Sequence, residues 1–285
     1  MDIFVNNKPA DITLDTEKTL GDVLSGIEQW ISPTGNRIKG ISVNGRDLPE
    51  DELAAVFGRD IKDIKKLDIT VSSWRELAAE ALLILQNTCV LYENAAFDER
   101  AQIAAAWENS VAAQFLKTDI PDLSNLAGNA LAGEGLSARD FTLRIDERLR
   151  EITEPAQEID RIEALVQSIV QRMEEFSLDM QTGKDRRAAE TMQLFSQAGE
   201  KLFRIFFIHK SEGLSLETFL IDELPSRAFI GEFNAALREL SAAYESRDTV
   251  LAGDIAEYEL APRLLKFFNA IKGLAGTNSR LVSES

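Results

Sequence analysis

The pattern of apolar residues changes abruptly near Ser72. Before that point, short runs alternate apolar and polar side chains around a single helical stretch. After it, nearly every segment repeats its apolar residues at the three-four spacing of an amphipathic helix. A chain divided in this way is expected to fold as α+β, with a small mixed sheet followed by a large all-helical region. At 285 residues it is long enough for more than one core. We expect a head over residues 1–72, a helical hairpin over 73–122 and a glycine-containing linker over 123–136. A helical bundle over 137–275 and a polar tail over 276–285 complete the division.

In the head, Ile3 and Val5 alternate with polar neighbours, Asn6-Asn7-Lys8-Pro9 supplies a turn, and Ile12 and Leu14 alternate again. Thr19 is placed to cap a helix from about Leu20 to Ile31, with Leu20, Val23, Leu24, Ile27, Trp30 and Ile31 on one face. Ile41 and Val43 lead into Asn44-Gly45, a dipeptide suited to the positive φ angles of a two-residue hairpin turn. A short helix over Leu53 to Phe57 follows, and Leu67-Ile69-Val71 reads as the closing strand.

The order strand, strand, helix, strand, short strand, short helix, strand resembles the β-grasp, or ubiquitin-like, superfamily. The hairpin from Ile3 to Leu14, the helix from Leu20 to Ile31, the turn at Val43-Asn44-Gly45 and the strand from Leu67 to Val71 carry the resemblance. It covers about a quarter of the chain. Members that act as sulfur carriers or protein modifiers expose a terminal Gly-Gly for adenylation. Here the corresponding exit reads Val71-Ser72-Ser73-Trp74 and runs into a helix, and the sequence ends Val282-Ser283-Glu284-Ser285. The resemblance therefore implies the superfamily's other habit, presentation of a sheet face or edge to another protein.

The first helix of the remainder, capped by Ser73, carries Trp74, Leu77, Ala81, Leu82, Leu85, Val90 and Leu91. A helix apolar around so much of its circumference is expected at the centre of a bundle. A second helix spans roughly Glu99 to Leu116 and stops at Pro121. Gly128, Gly133 and Gly135 lack the flanking residues of a phosphate or dinucleotide loop and read as a flexible connection. Ile159, Ile162, Val166, Ile169, Met173, Phe176 and Met180 form a heptad seam, either inside a bundle or between chains as an oligomer seam. Further helices are expected to about Ile208, over Ser215 to Leu224, after Ser226, and from Asp248 or Thr249 to about Leu274 with Pro262 inside it.

Charge narrows the function. The net charge is −17, from 48 acidic and 31 basic side chains. That opposes non-specific nucleic-acid binding and docking on an anionic membrane. It suits a protein partner with a basic surface. No apolar run approaches a membrane span, no leader pattern precedes the head, and Cys89 is the single cysteine. The expected setting is the cytoplasm. Cys89 sits among apolar residues as a structural thiol, and His209 is the single histidine. A zinc site or a Cys-His nucleophile is therefore not expected, and no cofactor or catalytic set is assigned.

The residues selected for partner binding are Asp254, Glu257 and Glu259, with Phe206 and Phe207 as candidates to line a groove. The expected function is a non-enzymatic, cytoplasmic protein-interaction module: an adaptor, assembly factor or chaperone-like protein. The alternatives are a homo-oligomeric structural component built on the seam, and an enzyme using Asp254 and Glu257, which share a helix face at i, i+3.

Overall fold

The computed structural model describes residues 1–14 and 16–283. It has an N-terminal mixed sheet followed by helices, the α+β arrangement expected. Two compact units are present: residues 1–145 with 211–213, and residues 146–210 with 214–285. The division falls at 145/146, beyond the boundaries expected at 72/73 and 136/137.

The first unit opens with β1 (Asp2–Val5), β2 (Lys8–Pro9), α1 (Leu20–Ile31), β3 (Asn36–Val43), β4 (Arg46–Leu48), α2 (Glu50–Val56) and β5 (Lys66–Ser73). The strand order is β2-β1-β5-β3-β4. β1 and β5 run parallel, with Ile3 opposite Leu67, and every other pair is antiparallel. Ile41 faces Ile69, and Val43 faces Leu67 on the other side of β5. These side chains bury against Leu20, Val23, Leu24 and Ile27 of α1. The alternation of the strands and the three-four spacing of α1 thus meet in one core. Thr19 and Asp22 form a reciprocal capping box at the helix start. Trp30, grouped with the apolar face from spacing, is instead 64% exposed.

Both hairpin turns are two residues long. Asn44 and Gly45 have φ of 53° and 80°, as the dipeptide implies. Asn6 and Asn7 also take positive φ, 49° and 64°, so the first turn is tighter than expected. Its return strand is only Lys8–Pro9, and Ile12 and Leu14 pack on the core outside any strand.

The same unit continues through α3 (Trp74–Asn94), α4 (Phe97–Glu108), α5 (Val111–Asp119), α6 (Pro121–Leu131) and the start of α7 (Ala138–Thr153). The expected helix 99–116 is split at Asn109-Ser110, where the Ser110 hydroxyl accepts from the Ala113 N–H and starts α5. The expected linker 123–136 is helical to Leu131. Pro121 occupies the first turn of α6 rather than ending a hairpin, and an added Cβ at Gly128 would meet nothing within 4 Å. Gly133 and Gly135, with positive φ, lie in the turn that follows.

The second unit contains the end of α7, α8 (Pro155–Glu174), α9 (Phe176–Gln181), α10 (Asp185–Ser211, to Lys210), β6 (Leu220–Ile221), β7 (Leu224–Pro225), α11 (Ser226–Glu245), α12 (Thr249–Asp254) and α13 (Ala261–Ser283). Ile159, Ile162, Val166, Ile169, Met173 and Phe176 are buried in its core, and Met180 packs against it. The seam is therefore filled within the chain and offers no oligomer surface. The short helix expected at 215–224 is replaced by a hairpin, because Asp222 and Glu223 take φ of 52° and 67° as a two-residue turn. The helix expected from 249 to 274 is interrupted by a π-helical segment, Ile255–Leu260. Pro262 explains the interruption: in a regular α-helix its ring would strike the Tyr258 carbonyl four residues back. The chain widens by one residue, and Ala261 N–H donates to Ala256 O. Helix α13 runs through residues 276–283, where a polar tail was expected; Glu284 and Ser285 lie outside the described residues.

Candidate functional site

The selected acidic residues do not converge on one point. Asp254 is exposed at the end of α12. The neighbouring Glu257 carboxylate, with Asp254 adding its charge, holds the Tyr258 phenol above its ordinary value of 10.0. Glu259 turns to an ion pair with Arg263, which also reaches Glu232 at 3.5 Å. Asp254, Glu257 and Tyr258 thus form a small exposed acidic surface, and Glu259 belongs to a neighbouring ion-paired cluster. Among the described residues no group of three or more His, Cys, Asp or Glu side chains is placed to hold a metal.

Phe206 is fully buried, within 5.6 Å of Phe267 and 6.1 Å of Phe219 between ring centroids. Its place in the core withdraws it from any partner, contrary to its selection. Phe207 is 46% exposed and carries the Lys210 ammonium 5.2 Å from its ring centroid. The sequence placed both as groove candidates and did not separate the buried ring from the neighbour that faces outward.

The buried charges of the second unit form a network. Glu151 and Glu158 are 1% and 2% exposed. Arg204 grips Glu151 through two hydrogen bonds of 2.6 and 2.9 Å. Lys201 donates to Glu158 at 2.6 Å and lies 3.5 Å from Glu147. Burial by itself would push the Glu158 carboxyl up, yet Lys201 and Arg161 together outweigh it and hold it below 4.5. Charges so fully paired are occupied in structure.

The largest feature that sequence reading missed lies in the first unit. Helix α3 buries Trp74, Ala78, Ala81, Leu82, Leu85 and Cys89 on one face. Its opposite face leaves Leu83, Ile84, Val90 and Leu91 45%, 42%, 49% and 62% exposed. The helix is therefore not enclosed by a bundle, as its apolar circumference had implied. Beside it lies a cleft of about 430 Å³, whose lining includes Arg37, Lys39, Leu77, Ile84, Val111 and Phe115. Val111 is 72% exposed at its edge.

The cleft's walls are fixed. The Arg37 guanidinium donates to both Asp119 oxygens at 2.9 and 2.6 Å, and Trp74 Nε1 donates to the same carboxylate at 3.0 Å. Arg37 also lies 5.8 Å from the centroid of Phe115. Lys39 pairs with Glu80 at 2.5 Å. With its cations engaged by carboxylates, the cleft presents mainly apolar surface. A signal existed in the sequence: residues 81–92, ALLILQNTCVLY, carry no charge in a chain with 28% charged residues.

Comparison with known proteins gives family relationships without an activity. Residues 1–73 match the family described as the TP0873 N-terminal domain, and residues 157–270 match a domain of unknown function, DUF8042. An uncharacterized protein of Treponema pallidum (strain Nichols) is 25% identical over 175 residues, covering 57% of this chain and 86% of that protein. No solved structure matches the chain. The chain is thus similar at its head to the TP0873 N-terminal domain and over much of its second unit to DUF8042.

Proposed function

We propose that this protein is a non-enzymatic interaction module, an adaptor or assembly factor, that docks another protein on the outer face of α3 and the adjoining cleft. The observation that carries the reading is the bare apolar stripe Leu83, Ile84, Val90 and Leu91 on a helix whose other face is already packed. Apolar surface gathered on one helix face has a standing free-energy gain from being covered. The head's central parallel pair β1/β5, flanked by antiparallel strands and backed by α1, supports the β-grasp resemblance. That resemblance adds a fold whose members meet other proteins through a sheet.

The acidic surface at Asp254, Glu257 and Tyr258 is a second, weaker feature that suits a basic partner. No helix among the described residues is long and apolar enough to cross a membrane.

A photo-crosslinking side chain placed at position 87, in the middle of the α3 face, tests the reading in cells. Protein adducts at position 87, absent when the probe is moved to Ser241 on α11, are expected. Adducts with lipid alone, or with no macromolecule, would overturn it.

A further inference from the structure

The exposed face of α3 has an internal symmetry. At 3.6 residues per turn, Glu80, Leu83, Ile84, Asn87, Val90, Leu91 and Asn94 share one side of the helix. The order is mirrored about Asn87. Leu83 and Ile84 precede it by four and three residues, and Val90 and Leu91 follow it by three and four. Glu80 and Asn94 lie seven residues to either side.

We propose that this face joins two copies of the chain, as an antiparallel pair of α3 helices related by a two-fold axis through Asn87. The inference rests on the docking reading above and names its partner. A two-fold operation at residue 87, perpendicular to the helix pair, sends each position to the opposite end while keeping it on the same flank of the interface. Leu83 then meets the second copy's Val90, and Ile84 meets the second copy's Leu91. Asn87 meets its own equivalent, an amide pair that hydrogen-bonds in one register only. Glu80 meets the second copy's Asn94, which offers an amide donor rather than a like charge. The mean charge density of a −17 chain would disfavour self-association over most of its surface. The uncharged run 81–92 spans the central contacts of this axis, with one acidic residue at each outer end of the pair.

Area agrees with a weak dimer. The bare parts of Leu83, Ile84, Val90, Leu91 and Val111 amount to roughly 450 Å² per copy, within the ~300–600 Å² of a monomer's largest apolar patch. That is a little over half the ~800 Å² per partner of a standard interface, and the polar flanks and cleft lip supply part of the remainder. The dissociation constant expected is on the order of 10 µM. Ile84 lines the cleft, so the second copy's Leu91 is brought to its mouth, and the symmetry repeats this at the other end.

Sedimentation velocity on the purified full chain, from about 1 to about 500 µM, reads the equilibrium directly. A concentration-dependent monomer–dimer shift is expected. Leu83→Glu and Leu91→Glu each place a carboxylate in the apolar contact twice and are expected to raise the dissociation constant at least ~100-fold. Both positions are on the helix's outer face, so the far-UV circular dichroism of the variants is expected to match the parent. Asn87→Cys places one thiol on the axis. It should give a covalent dimer under copper–phenanthroline oxidation at least ~10-fold faster than the exposed control Ser241→Cys, as facing Cα atoms require. Buried Cys89 does not compete. A species that stays monomeric at 500 µM, a dimer indifferent to both glutamate variants, or equal cross-linking at positions 87 and 241 would overturn the proposal. If the purified chain is monomeric while position 87 captures a different protein in cells, self-association fails and the docking reading stands. Absence of any protein adduct defeats both.

Discussion

Cys89 shows how one residue's environment sets its chemistry. Its side chain is fully buried, and burial, reinforced by the Glu93 carboxylate, pushes the thiol up to about 11. The nucleophilic thiolate is therefore scarce anywhere below that value, and the sulfur is shielded as well. Iodoacetamide at pH 8 is expected to leave Cys89 unmodified in the folded protein and to alkylate it fully in denaturant, as read by intact mass. Rapid native labelling would contradict this burial. Glu158 illustrates the opposite balance, because its ion partners win over desolvation. Replacing it by Gln leaves Lys201 without its 2.6 Å partner in a largely buried site. The expected loss is about 2–4 kcal/mol in urea unfolding followed by circular dichroism. The apolar environment of Cys89 was legible from its neighbours in sequence. The clustering of Glu151, Glu158, Lys201 and Arg204 was not, because three helices supply it and no local pattern links their partners.

Elements divide along the same line between local and non-local causes. Helix α1, its Thr19 cap and the Asn44-Gly45 turn followed from short-range chemistry, and the structure places them where the residues implied. Pro121 was expected to stop a helix and Pro262 to lie inside one, but proline ends one helix and begins another with the same ring. The structure puts Pro121 and Pro155 in the first turn of a helix, and Pro262 one residue inside α13 after the π-helical segment. The outward stripe of α3 was hidden for a different reason. Periodicity identifies apolar faces, but it does not say how many of those faces find neighbours. Packing between α12 and α9 is close enough to test. A Cβ on Gly253 would lie 2.4 Å from the Ser177 Cβ and 2.9 Å from its Cα, so backbone must move to admit it. Gly253→Ala is expected to cost about 1–3 kcal/mol by overpacking, even though alanine is the better helix former. A neutral or stabilising result in thermal unfolding would show that the two helices separate freely at this point.

For the whole molecule, the order of elements was readable and the grouping of elements was not. Sequence pattern changes at Ser72, but the compact unit extends to Ile145, because α3 and α5 anchor the sheet through contacts such as Arg37 with Asp119. Boundaries of compact units are set by such long-range contacts, to which a change in periodicity is blind. The two units also carry separable reporters. Trp30, Trp74 and Trp107 all lie in the first unit, whereas helices contribute to circular dichroism from both. The network around Glu158 lies in the second unit. Its carboxyl is held below 4.5 in the folded state, so its stabilising contribution is complete above that value. As pH falls from 4.5 through the lower folded value, protons bind the unfolded state first and the contribution is lost. Acid titration is therefore expected to reduce helical circular dichroism below about pH 4.5, with tryptophan emission following the first unit separately. Glu158→Gln has no carboxyl to titrate there, so its circular dichroism should change less over the same interval, from a lower starting stability. Parallel acid curves for the parent and the variant would show that other carboxylates, not this buried network, govern the second unit's acid response.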